Sequence, residues 1–178
     1  QAGMTGKTVR IVQPNAPQDL KWHPDHRWEF VRRAVAFSAE APRPDLIVWP
    51  ETAVPQLMNY AEDTLRAISE AAGGVPVFLG IQREQAGAYY NSAVLLDAAG
   101  RATAIYDKAH LVPFGEYVPL GNLMARFGIH GFAAQAGAGY SAGPGAELLD
   151  TPLGGALPLI CYEAVFPQDV NGAASRPD

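Results

Sequence analysis

Three apolar runs in the sequence end on side chains that can take part in nucleophilic catalysis. LIVWPE ends on Glu51, AIYDK ends on Lys108, and LPLICYE presents Cys161. A cysteine attacks as its thiolate, and it needs a neighbouring base or cation because a free thiol is mostly protonated at neutral pH. Glu51 could accept the thiol proton and later return it to a leaving group, and Lys108 could donate to the oxyanion of a tetrahedral intermediate. The three residue types supply a base, an electrophile and a nucleophile.

Each of these side chains also has an ordinary structural explanation. A lone cysteine such as Cys161 is most often a small buried apolar residue. Glu51 could be a carboxylate at the start of a helix, and a lysine that follows a strand, such as Lys108, is most often solvated. Glu116 and Glu163 would ordinarily be surface carboxylates.

Strands and helices alternate along the first half of the chain. Apolar runs predict buried strands, and apolar stripes at helical spacing predict the helices between them. The strands are predicted at 8–13, 46–49 and 75–80, and the helices at 25–41 and 61–72. This alternation favours helices packed on a largely parallel sheet. Because ligands bind at the carboxyl ends of strands in open α/β sheets, the three reactive side chains could converge there.

Two hairpins are predicted in the second half of the chain. Residues 91–96 and 101–106 flank a turn of sequence DAAG. The segments 146–149 and 156–160 read as strands joined around a Leu-Gly-Gly turn, and the second of them would deliver Cys161 at its carboxyl end.

A long Gly- and Ala-rich segment lies at 119–145, between the two hairpins. Loops of this length in a compact domain are usually functional or disordered. Because Leu123, Phe127 and Phe132 are scattered among its glycines, we expect a flexible lid that can contact lipid.

Length and composition limit the class of protein. The 178 residues, nearly half of them apolar, fit one α/β domain over 1–178. A formal charge of −5 without a basic stripe argues against a nucleic-acid partner. No apolar window is long enough for a membrane span. The single cysteine excludes a disulfide framework and a multi-cysteine metal site, and we expect neither a metal nor a cofactor.

Four motifs together resemble a known family. WPETA at 49–53, YDKAHLVPFGEYVP at 106–119 and ICYE at 160–163 are similar to signatures of the nitrilase (carbon-nitrogen hydrolase) superfamily. The middle motif is the most specific of the three. QPNAPQDLKW at 13–22 resembles the apolipoprotein N-acyltransferase branch. The resemblance implies an α/β fold, the four-layer αββα sandwich.

The resemblance also implies a role for each matching position. Glu51 would be the general base, Lys108 the partner of the oxyanion, and Cys161 the nucleophile that becomes a thioester. Glu116 would help to orient Lys108 and Glu51. Tyr162 and Glu163 would shape the site directly after the nucleophile, and Trp22 would lie near the acyl or acceptor pocket.

The branch implies an activity and a location. A fatty acyl chain would pass from a phospholipid to the N-terminal amine of a diacylglyceryl apolipoprotein, on the periplasmic face of a bacterial inner membrane. The branch has membrane spans that this chain lacks, and its catalytic domain continues well beyond the nucleophile. We therefore expect a truncated, inactive N-terminal portion of that domain.

Two other functions stay open. The same triad with water as acceptor would make a soluble carbon-nitrogen hydrolase of a small amide or nitrile. A binding module that keeps the fold without turnover is the third alternative.

Overall fold

A six-stranded sheet lies at the centre of the structure, a computed structural model that describes residues 6–17, 19–117, 139–173 and 177. Its strands are β1 (Val9–Ile11), β2 (Leu46–Val48), β3 (Val54–Leu57), β4 (Val77–Gln85), β5 (Ala88–Leu96) and β6 (Ala102–Asp107). The order across the sheet is β1-β2-β4-β5-β6, and β3 pairs with β4 beyond the end of β2.

Helices and a small hairpin pack around this sheet. In the described part of the chain the helices are α1 (Arg27–Ser38), α2 (Glu62–Ala71) and the short α3 (Pro167–Val170), with 3-10 turns at Met58–Tyr60 and Cys161–Val165. A separate hairpin consists of β7 (Leu149–Thr151) and β8 (Gly154–Ala156). Within the described ranges, no helix combines the length and the apolar character that crossing a bilayer requires.

The sheet is mixed, so the expectation of a largely parallel sheet is only half right. β1, β2 and β4 run parallel, but β4, β5 and β6 pair antiparallel. β4 continues past Gly80 to Gln85 and turns back through Ala86 and Gly87, which have φ values of 52° and 82°. Two successive residues with positive φ form the tight turn that matches the twist of a hairpin. The strand predicted from the sequence ended at Gly80 and missed this turn.

One face of the sheet packs against α1 and α2. Leu65 and Ile68 of α2 are 4% and 1% exposed, as the predicted apolar stripe requires. They belong to one apolar cluster with alternate residues of β4 and β5, including Val77, Ile81 and Val94, which are fully buried. This face is the main apolar core.

The opposite face carries a smaller apolar cluster. Ala93 and Tyr106 from the sheet pack there with Leu149 of β7 and with Ile160. The β7-β8 hairpin therefore starts a second β layer on the side away from α1 and α2.

The predicted second hairpin is shifted in the structure. β7 and β8 occupy 149–151 and 154–156, rather than 146–149 and 156–160. Pro158 has no N–H to donate to a strand ladder, which fits the end of β8 at Ala156. Cys161 consequently starts a 3-10 turn instead of following a strand directly.

Candidate active site

Glu51 lies in the tight connection 49–53 between β2 and β3, which we call the bulge. Gly80 of β4 donates its N–H to the Pro50 carbonyl at 3.3 Å and accepts from the Ala53 N–H at 2.9 Å. A Cβ atom on Gly80 would stand 2.6 Å from the Glu51 Cα and 2.4 Å from the Thr52 nitrogen. Only glycine permits this approach, so Gly80 determines where the bulge holds Glu51.

Lys108 is buried between two carboxylates directly after β6. It is 1% exposed, and its Nζ lies 2.8 Å from Glu116 Oε2 and 3.7 Å from Glu51 Oε1. Asn91 Nδ2 donates to Glu51 Oε1 at 2.7 Å and to Glu116 Oε1 at 3.2 Å. The Val112 N–H donates to Glu116 Oε2 at 2.8 Å. A buried charge needs such partners, so Lys108 is not the solvated lysine of the ordinary explanation and Glu116 is not a surface carboxylate.

Cys161 presents its side chain to solvent from a strained backbone. It is exposed, and its φ of 50° lies in the left-handed region that residues with a Cβ rarely adopt. A non-glycine residue held there costs about 1–3 kcal/mol, and such strain is concentrated at functional sites. The alternative of a buried apolar cysteine is therefore wrong.

The bulge and the cysteine turn border one cleft. Its walls include Phe78, Leu159 and Ile160, and its lining includes both Glu51 and Cys161. The structure thus brings the predicted base and nucleophile to the same apolar cleft, with Lys108 in contact with the base.

Glu163 is a buried carboxylate that joins two segments of the site. Its Oε1 accepts hydrogen bonds from the Tyr106 hydroxyl at 2.6 Å and from the N–H groups of Ala109 (2.8 Å) and His110 (3.1 Å). Its Oε2 accepts from the Ile160 N–H at 2.8 Å. Burial and the bond to Glu163 raise the pKa of Tyr106. One side chain therefore ties the end of β6 to the residue before the nucleophile.

Tyr162 belongs to an aromatic cluster beside the cleft. Its ring meets His110 and Phe166 edge-on at centroid distances of 5.3 and 4.7 Å, and His110 stacks on Phe166 at 4.2 Å. His110 Nδ1 lies 2.7 Å from Asp169 Oδ2. These contacts hold α3 against the segment that follows Lys108.

Trp22 does not line the cleft within the described part of the chain. It is 43% exposed, and the Lys21 Nζ lies 5.7 Å from its ring centroid. The expectation that it adjoins an acyl or acceptor pocket stays a prediction.

Sequence reasoning missed Lys21, which contacts the bulge directly. Its Nζ donates to the Glu51 carbonyl at 2.9 Å and to Thr52 Oγ1 at 2.7 Å. Burial lowers its pKa from 10.5, while the charges of Glu51 and Cys161 act in the opposite direction. Its position beside Trp22 in the QPNAPQDLKW motif was an available signal.

Tyr140 and Asn91 were missed as well. Tyr140 accepts a hydrogen bond from Gln82 Nε2 through its hydroxyl, and its N–H donates to the Glu116 carbonyl at 2.8 Å. Burial and the charges of Glu116 and Glu51 raise the pKa of Tyr140 to about 12. A polar residue at the start of an apolar strand was the signal for Asn91. Tyr140 had none, because it lies within the Gly- and Ala-rich segment 119–145, where no periodic pattern marks single residues.

Most of the predicted lid at 119–145 lies outside the described residues, including Leu123, Phe127 and Phe132. The described part, 139–145, approaches the site: Gly143 N–H donates to the Lys108 carbonyl at 2.9 Å.

The family model for carbon-nitrogen hydrolases matches residues 8–176. The chain belongs to the carbon-nitrogen hydrolase family. This confirms the resemblance drawn from its motifs to the nitrilase superfamily.

Two curated relatives of this carbon-nitrogen hydrolase chain share one name. Apolipoprotein N-acyltransferase of Brucella suis biovar 1 (strain 1330) is 40% identical over 176 residues, covering 92% of this chain and 33% of that protein. Apolipoprotein N-acyltransferase of Sinorhizobium fredii is 36% identical over 185 residues, covering 97% of this chain and 35% of that protein. The chain thus spans about a third of the length of the curated relatives it matches.

Solved structures share the fold. An amidase from Nesterenkonia sp. superposes with a TM-score of 0.64 at 22% identity, covering 96% of this chain and 62% of that one. A carbon-nitrogen hydrolase from Helicobacter pylori G27 superposes with a TM-score of 0.59 at 20% identity, covering 94% of this chain and 56% of that one. In a variant of the Nesterenkonia sp. AN1 amidase (TM-score 0.64, 20% identity, covering 97% and 64%), the acetamide moiety of fluoroacetamide is covalently added at the active-site cysteine. These likenesses confirm the predicted α/β, nitrilase-type fold.

Proposed function

We propose that this chain forms the catalytic centre of an acyltransferase, which moves a fatty acyl chain from a phospholipid to the N-terminal amine of a diacylglyceryl apolipoprotein. The observation that carries the proposal is the exposed, strained Cys161 in an apolar cleft that also contains Glu51, whose carboxylate contacts buried Lys108. The name shared by relatives about 40% identical to this chain supports the choice of reaction.

The first half-reaction transfers the acyl group to the enzyme. Glu51 accepts the proton of the Cys161 thiol, and the sulfur attacks the ester carbonyl of the phospholipid. Lys108 stabilises the oxyanion of the tetrahedral intermediate. The C–O bond then breaks, Glu51 returns the proton to the leaving alkoxide, and lysophospholipid departs from the thioester.

The second half-reaction transfers the acyl group to the acceptor. The lipoprotein amine attacks the thioester carbonyl, Glu51 takes a proton from the nitrogen, and Lys108 again faces the oxyanion. When the C–S bond breaks, the proton passes to sulfur and restores the thiol. This order predicts ping-pong kinetics.

The remaining residues act by positioning. Glu116 contacts Lys108, and Asn91 donates to Glu51. Glu163 fixes the turn that presents Cys161, and Tyr162 packs against His110 beside that turn. Trp22 would contact an acyl chain of the donor or the acceptor. We place the working enzyme on the periplasmic face of a bacterial inner membrane, where both lipid substrates are found.

The test is mass spectrometry of the full-length protein after incubation with phospholipid alone. We expect a mass increase of one acyl chain on the peptide that contains Cys161, and its removal by hydroxylamine, which cleaves thioesters. Cys161→Ser is the matched control and should gain no acyl group, because a hydroxyl is a far weaker nucleophile beside a base suited to a thiol.

The opposite outcome identifies the hydrolase. If phospholipid leaves Cys161 unmodified while small amides release ammonia in a Cys161-dependent way, water is the acceptor and the acyltransferase proposal is wrong.

A further inference from the structure

A second cavity borders the bulge on the side of the 13–22 segment. Its lining includes Lys21 and Arg27 together with Pro50 and Glu51. Pro50 and Glu51 also line the cleft of Cys161, so the bulge is a wall shared by two cavities. One cavity contains the nucleophile among apolar side chains, and the other contains two cationic side chains.

Arg27 has a buried donor that lacks an acceptor. Its Nε is inaccessible to solvent and makes no hydrogen bond within the described residues, where no carboxylate pairs with its guanidinium either. Arg33 on the same helix is different, because it donates to Glu29 Oε1 at 3.0 Å and to the Pro14 carbonyl at 2.6 Å. No described carboxylate neutralises the guanidinium of Arg27, which lines the cavity, so its positive charge is available to an anionic ligand there.

Lys21 faces the same cavity with donor capacity left over. An ammonium has three N–H donors, and two of them are directed at the Glu51 carbonyl and Thr52 Oγ1. These two acceptors are uncharged, while the negative charge of Glu51, which also lines the cavity, favours the ammonium form of Lys21. Two cations are thus held in one cavity of a protein whose formal charge is −5.

We propose that Lys21 and Arg27 bind the phosphodiester of the acyl donor. The planar guanidinium fork matches two phosphate oxygens, and the ammonium adds a point charge beside it. A glycerophospholipid joins a phosphate and an acyl ester through a short glycerol unit, so it can extend across the Pro50–Glu51 wall with its ester over Cys161. The choice of a phospholipid rests on the proposed function, whereas binding of a phosphate ester rests on the cavity alone.

The first experiment compares two acyl donors in the full-length protein. One is a monomeric short-chain phosphatidylglycerol, and the other is the uncharged ester p-nitrophenyl hexanoate. Single-turnover acylation of Cys161 is measured for the wild type and for Arg27→Gln. We expect the variant to lose at least about tenfold more rate with the phospholipid than with the ester, because only the phospholipid presents an anion to the guanidinium.

Two further variants control for charge and folding. Arg32 lies on the same helix but is exposed and does not line the cavity, so Arg32→Gln should keep the wild-type ratio of the two rates within about twofold. Arg27→Lys keeps the charge but loses the planar fork of the guanidinium. Its ratio of phospholipid to ester acylation rates should lie between those of the wild type and Arg27→Gln. Equal losses with both donors in Arg27→Gln, with Arg27→Lys no better, would overturn the proposal.

The second experiment separates the site from the reaction. Glycerol 3-phosphate and inorganic phosphate are titrated into the protein and followed by NMR shifts of the labelled arginine side chains, with glycerol and sodium chloride as controls. We expect glycerol 3-phosphate to bind, and its affinity to fall at least about fivefold in Arg27→Gln. If inorganic phosphate binds equally well and the donor ratio does not change, the cavity is a free-phosphate site and the headgroup assignment is wrong. If the wild type is never acylated by phospholipid, the proposed function fails, yet this titration still decides whether the cavity binds a phosphate ester.

Discussion

The face of the sheet that packs against α1 and α2 is apolar, whereas the opposite face buries Lys108, Glu163 and most of Glu116. The same strands build both, because successive side chains of a strand point to opposite sides. On β4, Ile81 points to the helices and Gln82 to the site. Apolar contacts are non-directional, so the helix face needs only volume and shape. Every charge on the catalytic face needs a partner at a defined distance, so that face is specified by individual hydrogen bonds.

The largest effect is expected on the catalytic face, from Lys108→Met. Removing one preorganised donor to the oxyanion costs about 100- to 1000-fold in rate, and single-turnover acylation of Cys161 measures it. The unfolding midpoint is recorded in parallel, because Glu116 loses a buried partner. Lys7→Met at an exposed position is the control. A loss below about threefold would show that Lys108 takes no part in the reaction.

On the helix face, Ile68→Ala should affect stability and spare the chemistry. Ile68 is 1% exposed in the main core, and truncating such a side chain costs about 2–5 kcal/mol of unfolding free energy. Urea denaturation measures the loss, and acylation is assayed where the variant is folded. Glu70→Ala on the exposed side of the same helix should change stability by less than about 0.5 kcal/mol. If Ile68→Ala raised the activation free energy of acylation by as much as it lowered the free energy of unfolding, the two faces would not be independent.

Glu163→Gln tests a buried residue whose hydrogen bonds should support both the stability of the fold and the position of Cys161. An amide keeps the shape but replaces one acceptor oxygen with a donor nitrogen, leaving either the Ile160 N–H or the β6 end without its acceptor. We expect about 1–3 kcal/mol of destabilisation together with slower acylation. Glu147→Gln, at an exposed position, is the control. Destabilisation without any change in acylation rate would make Glu163 purely structural.

The smallest effect belongs to Asp45→Asn, at the parallel edge of the sheet and away from the site. Hydrogen bonds from the Thr8 N–H and hydroxyl, and the nearby Lys7 ammonium, lower the pKa of Asp45 below 3.8. A depressed pKa in the folded state means that the carboxylate stabilises the fold above the unfolded value and loses this contribution as pH falls through the folded one. The stability difference between wild type and variant, from urea denaturation at several pH values, should shrink as the pH is lowered below 3.8. A difference that does not vary with pH would contradict this account.

Local patterns in the sequence predicted the elements of the helix face well. The stripe containing Leu65 and Ile68 gave α2, and the run at 46–49 gave β2, because burial on a helix or strand repeats at a short, fixed period. The residue types of Glu51, Lys108 and Cys161 likewise indicated their chemistry, because a carboxylate, an ammonium and a thiol are identified by side-chain type alone.

The tertiary structure alone decided how those groups meet. Glu163 was recognised from its motif, but its bond to Tyr106 joins residues 57 apart in sequence. The left-handed backbone of Cys161 and the unpaired Nε of Arg27 have no periodic signature either. Such features depend on the register of strands and on the path of connecting segments, which long-range packing determines. A sequence can therefore name the reactive groups, while distances, burial and the cavity beside the bulge follow only from the folded chain.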